Sequence, residues 1–142
     1  MRLLVVCEGN ICRSPMAVGL LSKAAPSIFS FSAGLGALVG APADEMAVQI
    51  LRERGIDISS HRAIQITRQM CHQADLVLVM NDAQRASVQA MYPAARGRVY
   101  RLGEYTKRDI PDPFKQPEKA FRGALRLIDE AAREWLLRIN RL

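Results

Sequence analysis

Cysteine and histidine are scarce in this chain, which limits the metal and redox chemistry that it can support. The 142 residues include 3 Cys and 2 His. Cys71 and His72 are adjacent, and no second pair of potential ligands follows at the spacing of a zinc site. An odd number of cysteines also favours a reducing compartment over a framework of disulfides. We therefore predict no metal ion, no cofactor and a cytoplasmic location.

Long apolar runs are missing as well. The first run, Leu3 to Cys7, spans 5 residues, and no cleavage-site pattern follows it. It is too short for a transmembrane helix or a signal peptide, so we predict a protein that is not embedded in a membrane. The balance of 49% apolar and 24% charged residues is ordinary for a globular protein. Residues 1–142 are expected to form a single domain.

Acidic residues are fewer than basic ones, 14 against 20, which gives a net charge of +6. Such an excess suits nucleic acid, an anionic small substrate or an acidic protein partner. The sequence has no long basic run and no aromatic pattern for stacking on bases. We therefore predict no nucleic-acid binding, and scattered solvated charge is the simpler interpretation.

Apolar runs alternate with amphipathic segments along the chain. The runs predict strands at residues 2–6, 28–32, 76–80 and 99–102. Helices are predicted between them, from a Ser14 cap with Pro15 in the first turn to Pro26, then at 42–54, from Asn81 or Asp82 to 92, and from Pro117 onward. This alternation predicts an α/β fold with a four-stranded parallel sheet and helices on both faces.

The segment from Cys7 to Ser14 lies between the first strand and the first helix. Functional sites of parallel sheets lie beyond the carboxyl ends of the strands, where this loop is expected. Backbone N–H groups of such a loop can converge on an anion, and the helix dipole assists them. Gly9 and Asn10 tolerate unusual backbone angles, and the planar fork of Arg13 fits two phosphate oxygens. The segment is therefore predicted to hold a phosphate group.

The same surroundings favour an activated cysteine. A helix N-terminus and a nearby arginine stabilise a thiolate, and a Ser14 hydroxyl could donate a hydrogen bond to it. Cys7 would then attack phosphorus while Arg13 and the N–H groups hold the oxygens. Because an arginine six residues after a cysteine also occurs by chance, the alternative is a buried cysteine at a strand end and an unrelated surface arginine.

Cys7, Arg13 and Ser14 match the Cys-x5-Arg-Ser signature of a known family, and the chain resembles the low-molecular-weight protein tyrosine phosphatases. Further matches follow in the expected order at Asn10, Cys12, Ser32-Ala33-Gly34, His61 and Asp112-Pro113. The resemblance spans most of the chain. It implies the same four-stranded fold and the hydrolysis of phosphotyrosine through a cysteinyl-phosphate intermediate, without a metal ion.

The resemblance also assigns roles to residues. It implies that Cys7 is the nucleophile, Arg13 the phosphate clamp and Asp112 the general acid and base. Phosphate would also be bound by the rest of the loop, namely Glu8, Gly9, Asn10, Ile11, Cys12 and Ser14. Asn10, Ser14 and His61 would brace the loop, and Cys12 would capture oxidised Cys7 as a disulfide. Without the resemblance, Asp112 is a turn residue, His61 a surface histidine and Cys12 a small buried side chain.

The segment from Ser32 to Gly40 is similar to that of the bacterial branch that acts on tyrosine autokinases in capsule and exopolysaccharide export. This similarity implies a phosphotyrosine protein as partner, the cytoplasmic tail of a membrane autokinase. Phe114 is expected to stack on the substrate's phenyl ring, and Leu38 to contact it from the opposite side. Several family members have a second aromatic where this chain has Lys115, which predicts a more open and more basic wall.

Two other functions use the same loop. An arsenate reductase of this fold needs a resolving pair of cysteines, whereas Cys71 stands alone after the loop. A phosphotyrosine-binding module would need the phosphate site without the chemistry. The presence of Cys7, Arg13 and Asp112 together argues against such a module.

Overall fold

The computed structural model, which describes residues 1–141, contains a four-stranded parallel sheet and five α-helices. The strands are β1 (Arg2–Cys7), β2 (Phe29–Gly34), β3 (Leu76–Val79) and β4 (Val99–Arg101), in the order β2-β1-β3-β4. The helices are α1 (Arg13–Ala24), α2 (Glu45–Arg52), α3 (Arg68–Gln73), α4 (Asp82–Met91) and α5 (Glu118–Ile139), with a short 3-10 helix at Pro93–Ala95. The predicted α/β class and parallel sheet are confirmed.

Helices cover both faces of the sheet, as predicted. Side chains of a strand point alternately to its two faces. Leu3 and Val5 of β1 therefore join one core with α1, α2 and α5, whereas Leu4 and Val6 join a second core with α3 and α4. All four side chains are fully buried. None of the helices within residues 1–141 has both the length and the apolar character needed to cross a bilayer.

Two helix predictions need correction, and one helix was missed. Helix α1 begins at Arg13 with Cys12 as its N-cap, so Ser14 lies inside the first turn and does not cap it. Helix α2 is shorter than residues 42–54, because the Asp44 side chain caps it by accepting the N–H of Met46. Helix α3 was not predicted, since its six residues bury only Cys71 and leave no periodic apolar pattern.

The carboxyl ends of all four strands meet at one edge of the sheet. The segments that follow β1, β2 and β4 are the Cys7–Arg13 loop, residues 35–41 and residues 102–117. Residue Ile110 donates its N–H to the carbonyl of Met80, directly after β3. Segments far apart in sequence therefore enclose this edge, where the functional site was predicted.

Candidate active site

The Cys7–Arg13 loop holds its carbonyl groups outward. The N–H groups of Leu35, Gly36 and Leu38 donate to the carbonyls of Cys7, Glu8 and Gly9 at 3.0, 2.9 and 3.1 Å. Within residues 1–141, the N–H groups of residues 8–12 have no hydrogen-bond acceptor. With its carbonyls occupied outside, the loop can direct these N–H groups inward, an arrangement that binds anions.

Asn10 is the internal support of this loop. Its φ of 60° lies in the left-handed region, and its side chain is fully buried. The side-chain Oδ1 accepts the N–H of Ile64 at 2.9 Å, so Nδ2 is the donor toward Ser14 Oγ at 2.7 Å and Ser32 Oγ at 3.0 Å. The backbone carbonyl of Asn10 lies 2.6 Å from His61 Nε2. Asparagine satisfies both requirements, since it tolerates this φ and carries a donor and an acceptor.

Ser14 connects Asn10 to the cysteine. The distance between Cys7 Sγ and Ser14 Oγ is 2.9 Å, and both residues are buried. Because the Ser14 oxygen already accepts from the Asn10 amide, its own O–H is free to donate to Cys7 Sγ. A hydrogen bond donated to sulfur favours the thiolate over the thiol. The hydroxyl that the sequence suggested as a helix cap therefore faces the predicted nucleophile.

Arg13 and Asp112 come together although they lie near opposite ends of the chain. The buried guanidinium donates from Nη1 to the carbonyl of Ile110 at 2.8 Å, and Nη2 lies 3.5 Å from Asp112 Oδ2. The Nε of Arg13 is buried and has no hydrogen-bond partner within residues 1–141. The Asp112 side chain is 47% exposed, and its Oδ1 accepts the N–H of Phe114 at 3.1 Å. Arg13 thus retains an unpaired donor, and Asp112 stays open to solvent.

These residues surround a pocket of about 160 Å³. Its lining consists of Cys7, Glu8, Gly9, Ile11, Cys12, Arg13, Gly36, Leu38, Asp112 and Phe114. Leu38 and Phe114 are partly exposed, at 48% and 38%, so they offer apolar surface to an entering group. A larger cavity of about 480 Å³ lies between α3 and the 3-10 helix. This cavity adjoins the amino ends of β3 and β4. Its lining includes Cys71 but no aspartate or glutamate that could act as a general acid beside it.

Burial sets the protonation of two further site residues. Burial lowers the pKa of His61, with a smaller contribution from Arg62, against the opposing effect of the hydrogen bond to Asn10. Neutral His61 then donates from Nε2 to the Asn10 carbonyl. Burial also raises the pKa of the Cys12 thiol far above its usual range, and the charges of Asp44, Asp112 and Cys7 add to this effect. Cys12 is therefore a protonated thiol at neutral pH.

Every residue of the predicted site lies in or behind this pocket. Asn10, Ser14 and His61 lie behind the loop, and the others line the pocket. The roles assigned to them remain predictions. Sequence reasoning gave no role to Ser32, Gly36 or the carbonyl of Ile110. A backbone carbonyl leaves no sequence signal, whereas Ser32 lies in a matching segment and could have been proposed. Residues 1–141 contain no cluster of three His, Cys, Asp or Glu side chains that would suit a metal ion.

Comparisons with known proteins show a match over nearly the whole chain. Residues 2–142 match the family model of the low molecular weight phosphotyrosine protein phosphatases. The chain is 49% identical over 140 residues to EpsP of Ralstonia solanacearum, named a probable low molecular weight protein-tyrosine-phosphatase, covering 99% of this chain and 97% of EpsP.

Two solved structures share the fold. Vibrio vulnificus Wzb in complex with benzylphosphonate is 41% identical with a TM-score of 0.91, covering 94% of this chain and 95% of that one. The YwlE arginine phosphatase of Geobacillus stearothermophilus is 31% identical with a TM-score of 0.92, covering 99% and 93% of the two chains. The chain belongs to the low molecular weight phosphotyrosine protein phosphatase family.

Proposed function

We propose that this protein hydrolyses phosphotyrosine in a protein substrate through a phosphorylated Cys7. The observation that carries the proposal is the convergence of Cys7, Arg13 and Asp112 on one pocket of about 160 Å³. A nucleophile, a cationic clamp and a carboxylate open to solvent are the groups that transfer of a phosphoryl group to a thiolate requires. Family membership supports the same reaction.

The phosphate group would be held by the Cys7–Arg13 loop. The N–H groups of residues 8–12 have no acceptor within residues 1–141, and Arg13 Nε is buried and unpaired. Together these donors match the three equatorial oxygens of the transferring group, whose charge they neutralise in the transition state. Hydrogen bonds through Asn10 and His61 keep the loop in this shape before the substrate arrives.

In the first step, the Cys7 thiolate attacks phosphorus and a sulfur–phosphorus bond forms. The bond between phosphorus and the tyrosine oxygen breaks, and Asp112 gives its proton to the departing phenolate. Proton transfer of this kind contributes about 10²–10⁴ in rate. The Ser14 hydroxyl, 2.9 Å from Cys7 Sγ, supports the thiolate before attack.

In the second step, water attacks the cysteinyl phosphate. Asp112, now a carboxylate, accepts a proton from the water while the sulfur–phosphorus bond breaks. Inorganic phosphate leaves, and Cys7 returns as a thiolate stabilised by Ser14. The oxygens remain held by Arg13 and the loop N–H groups in both steps, so one set of donors serves two transition states.

The substrate is proposed to be a phosphotyrosine in the cytoplasmic tail of a bacterial tyrosine autokinase that acts in capsule or exopolysaccharide production. The resemblance to the bacterial branch and the 49% identity to EpsP support this choice. Leu38 and Phe114 give the pocket two apolar walls for a phenyl ring. The enzyme would meet this tail in the cytoplasm as a single domain.

The test is the release of phosphate from a phosphotyrosine peptide by wild type, Cys7→Ser and Asp112→Asn, with EDTA present. We expect no turnover by Cys7→Ser and a loss of about 10²–10⁴ in kcat for Asp112→Asn. Asp129→Asn, which alters a carboxylate on α5 outside the pocket, is the matched control and should behave as wild type. Substantial activity of folded Cys7→Ser would assign the nucleophile to another residue.

Parallel assays separate the competing functions. The YwlE structure is that of an arginine phosphatase, so a phosphoarginine peptide is assayed in the same series. If it is hydrolysed faster than the phosphotyrosine peptide, phosphoarginine becomes the proposed substrate. Arsenate-dependent oxidation of thioredoxin would show that the protein is an arsenate reductase. Tight phosphotyrosine binding by wild type without turnover would establish a binding module.

A further inference from the structure

An exposed cation lies beside the pocket, next to one of the residues that line it. Lys115 directly follows Phe114, which lines the pocket, and its Nζ lies 5.4 Å from the centroid of the Phe114 ring. The backbone of Lys115 has a φ of 63°, and the N–H of Gln116 closes a turn onto the carbonyl of Pro113 at 2.8 Å. This turn and the attraction between ammonium and ring keep the charge at the rim of the pocket.

The charge of Lys115 is available to a ligand. Among residues 1–141, no carboxylate forms a salt bridge with Lys115, whereas Arg122, Arg133 and Arg138 of α5 are each paired with a carboxylate. A lysine ammonium is a compact point charge with three donors, suited to a carboxylate or a phosphate. An anion at the rim would therefore not compete with a carboxylate of residues 1–141 for the Lys115 ammonium.

The part of the pocket formed by residues 8, 36 and 38 has a different character. Leu38 and Val39 are 48% and 71% exposed and apolar. Glu8 lines the pocket on this side, and its Oε1 lies 2.9 Å from the position that a Cβ on Gly36 would occupy. A carboxylate entering along this wall would meet a like charge. The lining is thus anionic at Glu8, whereas the cation of Lys115 lies beside Phe114.

We propose that Lys115 forms an anion-binding subsite that selects a negatively charged group on one flank of the phosphotyrosine. The group is a carboxylate of a neighbouring acidic residue or the phosphate of a second phosphotyrosine, both of which offer oxygen acceptors to an ammonium. The inference rests on the proposed function, because it assumes a peptide whose phosphotyrosine enters the pocket. The opposite flank is neutral or apolar, because it lies against Leu38, Val39 and Glu8.

The expected preference is modest, because Lys115 is exposed. A solvent-accessible ion pair of this kind gives about a two- to fivefold gain in kcat/KM for one carboxylate. The second phosphate carries more charge and gives a larger gain, up to about tenfold. Both gains should fall as salt is raised toward about 1 M, where the Debye length is about 3 Å.

The experiment compares kcat/KM for four phosphotyrosine peptides: neutral on both flanks, glutamate before, glutamate after, and a second phosphotyrosine on the favoured flank. Wild type, Lys115→Met and Lys107→Met are assayed, and each charged peptide is expressed relative to the neutral one. Lys107 is a matched control, since it is exposed and has a φ of 61°. Unlike Lys115, which follows Phe114, it is not next to a residue that lines the pocket. Lys115→Glu serves as a second variant.

Wild type should prefer an anion on one flank only, whether the anion is a glutamate carboxylate, the phosphate of a second phosphotyrosine, or either of them. Lys115→Met should bring that ratio to about 1, Lys115→Glu below 1, and Lys107→Met should keep it. Equal gains on both flanks, a ratio retained by Lys115→Met, or an equal loss in Lys107→Met would assign the effect to the general field and overturn the subsite. Failure of wild type on every peptide would instead reject the proposed function.

Discussion

The amide of Asn10 fixes the direction of the hydrogen bonds that reach Cys7, the predicted nucleophile. Its Oδ1 accepts the N–H of Ile64, which leaves Nδ2 to donate to both Ser14 and Ser32. A serine that accepts from an amide has its own hydrogen free to donate elsewhere. Ser14 can therefore donate to Cys7 Sγ. Within residues 1–141, the Ser32 hydroxyl has a hydrogen bond to Asn10 and none to sulfur. The Ser14 and Ser32 hydroxyls thus accept from the same amide, but Ser14 is the one that contacts Cys7 Sγ.

This difference predicts unequal effects of two matched substitutions. Ser14→Ala removes the donor to the Cys7 thiolate, and a hydrogen bond to a charged group is worth about 1.5–3 kcal/mol. We expect the rate of Cys7 alkylation by iodoacetate at pH 6, and kcat with it, to fall about 10- to 100-fold. The measurement is the loss of activity with time at fixed iodoacetate concentration.

Ser32→Ala is the control for that experiment. It removes the other acceptor of Asn10 Nδ2 and leaves the Cys7–Ser14 contact of 2.9 Å in place. It should lower the free energy of unfolding by about 1 kcal/mol with little effect on alkylation. If both variants slow alkylation equally, the network acts only by holding the loop, and Ser14 has no direct effect on sulfur.

The segment of residues 102–117 has a close backbone contact near its start, at Gly103. A Cβ on Gly103 would lie 1.8 Å from the carbonyl oxygen of Arg108, a distance no side chain can occupy. The N–H of Lys107 also donates to the Gly103 carbonyl at 2.9 Å. The segment is folded back on itself at this glycine before it reaches Asp112. Its closure therefore contributes to the position of the proposed general acid.

Gly103→Ala is predicted to misplace Asp112 while leaving the Cys7–Arg13 loop intact. A displacement of about 1 Å can lower a rate about 10²-fold. The loss in kcat should be greater for phenyl phosphate than for p-nitrophenyl phosphate, because a poor leaving group depends more on the acid. Inhibition by inorganic phosphate, which reports the loop, should change little.

Gly123→Ala provides the matched control on α5. Apart from its chain neighbours and the nearby backbone of α5, nothing in residues 1–141 lies within 4 Å of a Cβ at this position. Alanine is favoured over glycine in a helix by about 0.5–1 kcal/mol. This variant should keep wild-type kinetics and gain stability. Equal losses across both leaving groups in Gly103→Ala would show that the substitution damages the phosphate site instead of the acid.

Sequence patterns predicted the elements whose burial is strong and periodic. The apolar run of β1 appears as predicted, and α5 begins directly after Pro117, where the sequence placed its start. Asn81 was one of two suggested caps for α4, and its side chain does accept the N–H of Gln84. These features are local, because burial and capping depend on residues within a few positions of one another.

Features that depend on distant partners could not be predicted in this way. A serine before a proline is a good helix cap locally, yet Ser14 lies inside α1 because its hydroxyl is engaged by Asn10 and Cys7. The partner of Arg13 Nη1 is the carbonyl of Ile110, 97 residues away. The resemblance to a known family was enough to predict which residues form the site. The hydrogen bonds between them could be identified only in the folded structure.

At the scale of the whole molecule, the Cys7–Arg13 loop depends on a segment that follows α2 in the chain. His61 and Ile64 both bond to Asn10, so residues 61–64 support the loop from behind. Burial lowers the pKa of His61, and the ordinary value of 6.5 applies in the unfolded chain. The unfolded chain therefore binds the proton more strongly, and the free energy of unfolding falls as the pH drops below about 6.5.

We predict that His61→Gln weakens this pH dependence. Between pH 7.5 and pH 5.5 the histidine contributes a loss of at most about 1.4 kcal/mol, since each unit of pKa difference is worth about 1.4 kcal/mol. Urea unfolding at both pH values is measured in the Cys7→Ser background, which lacks the thiol of the predicted nucleophile. His72→Gln alters the exposed histidine near the end of α3 and should retain the parent's dependence. If His61→Gln retains it too, then protonation of His61 does not couple to folding, and its contact with Asn10 persists when the ring is charged.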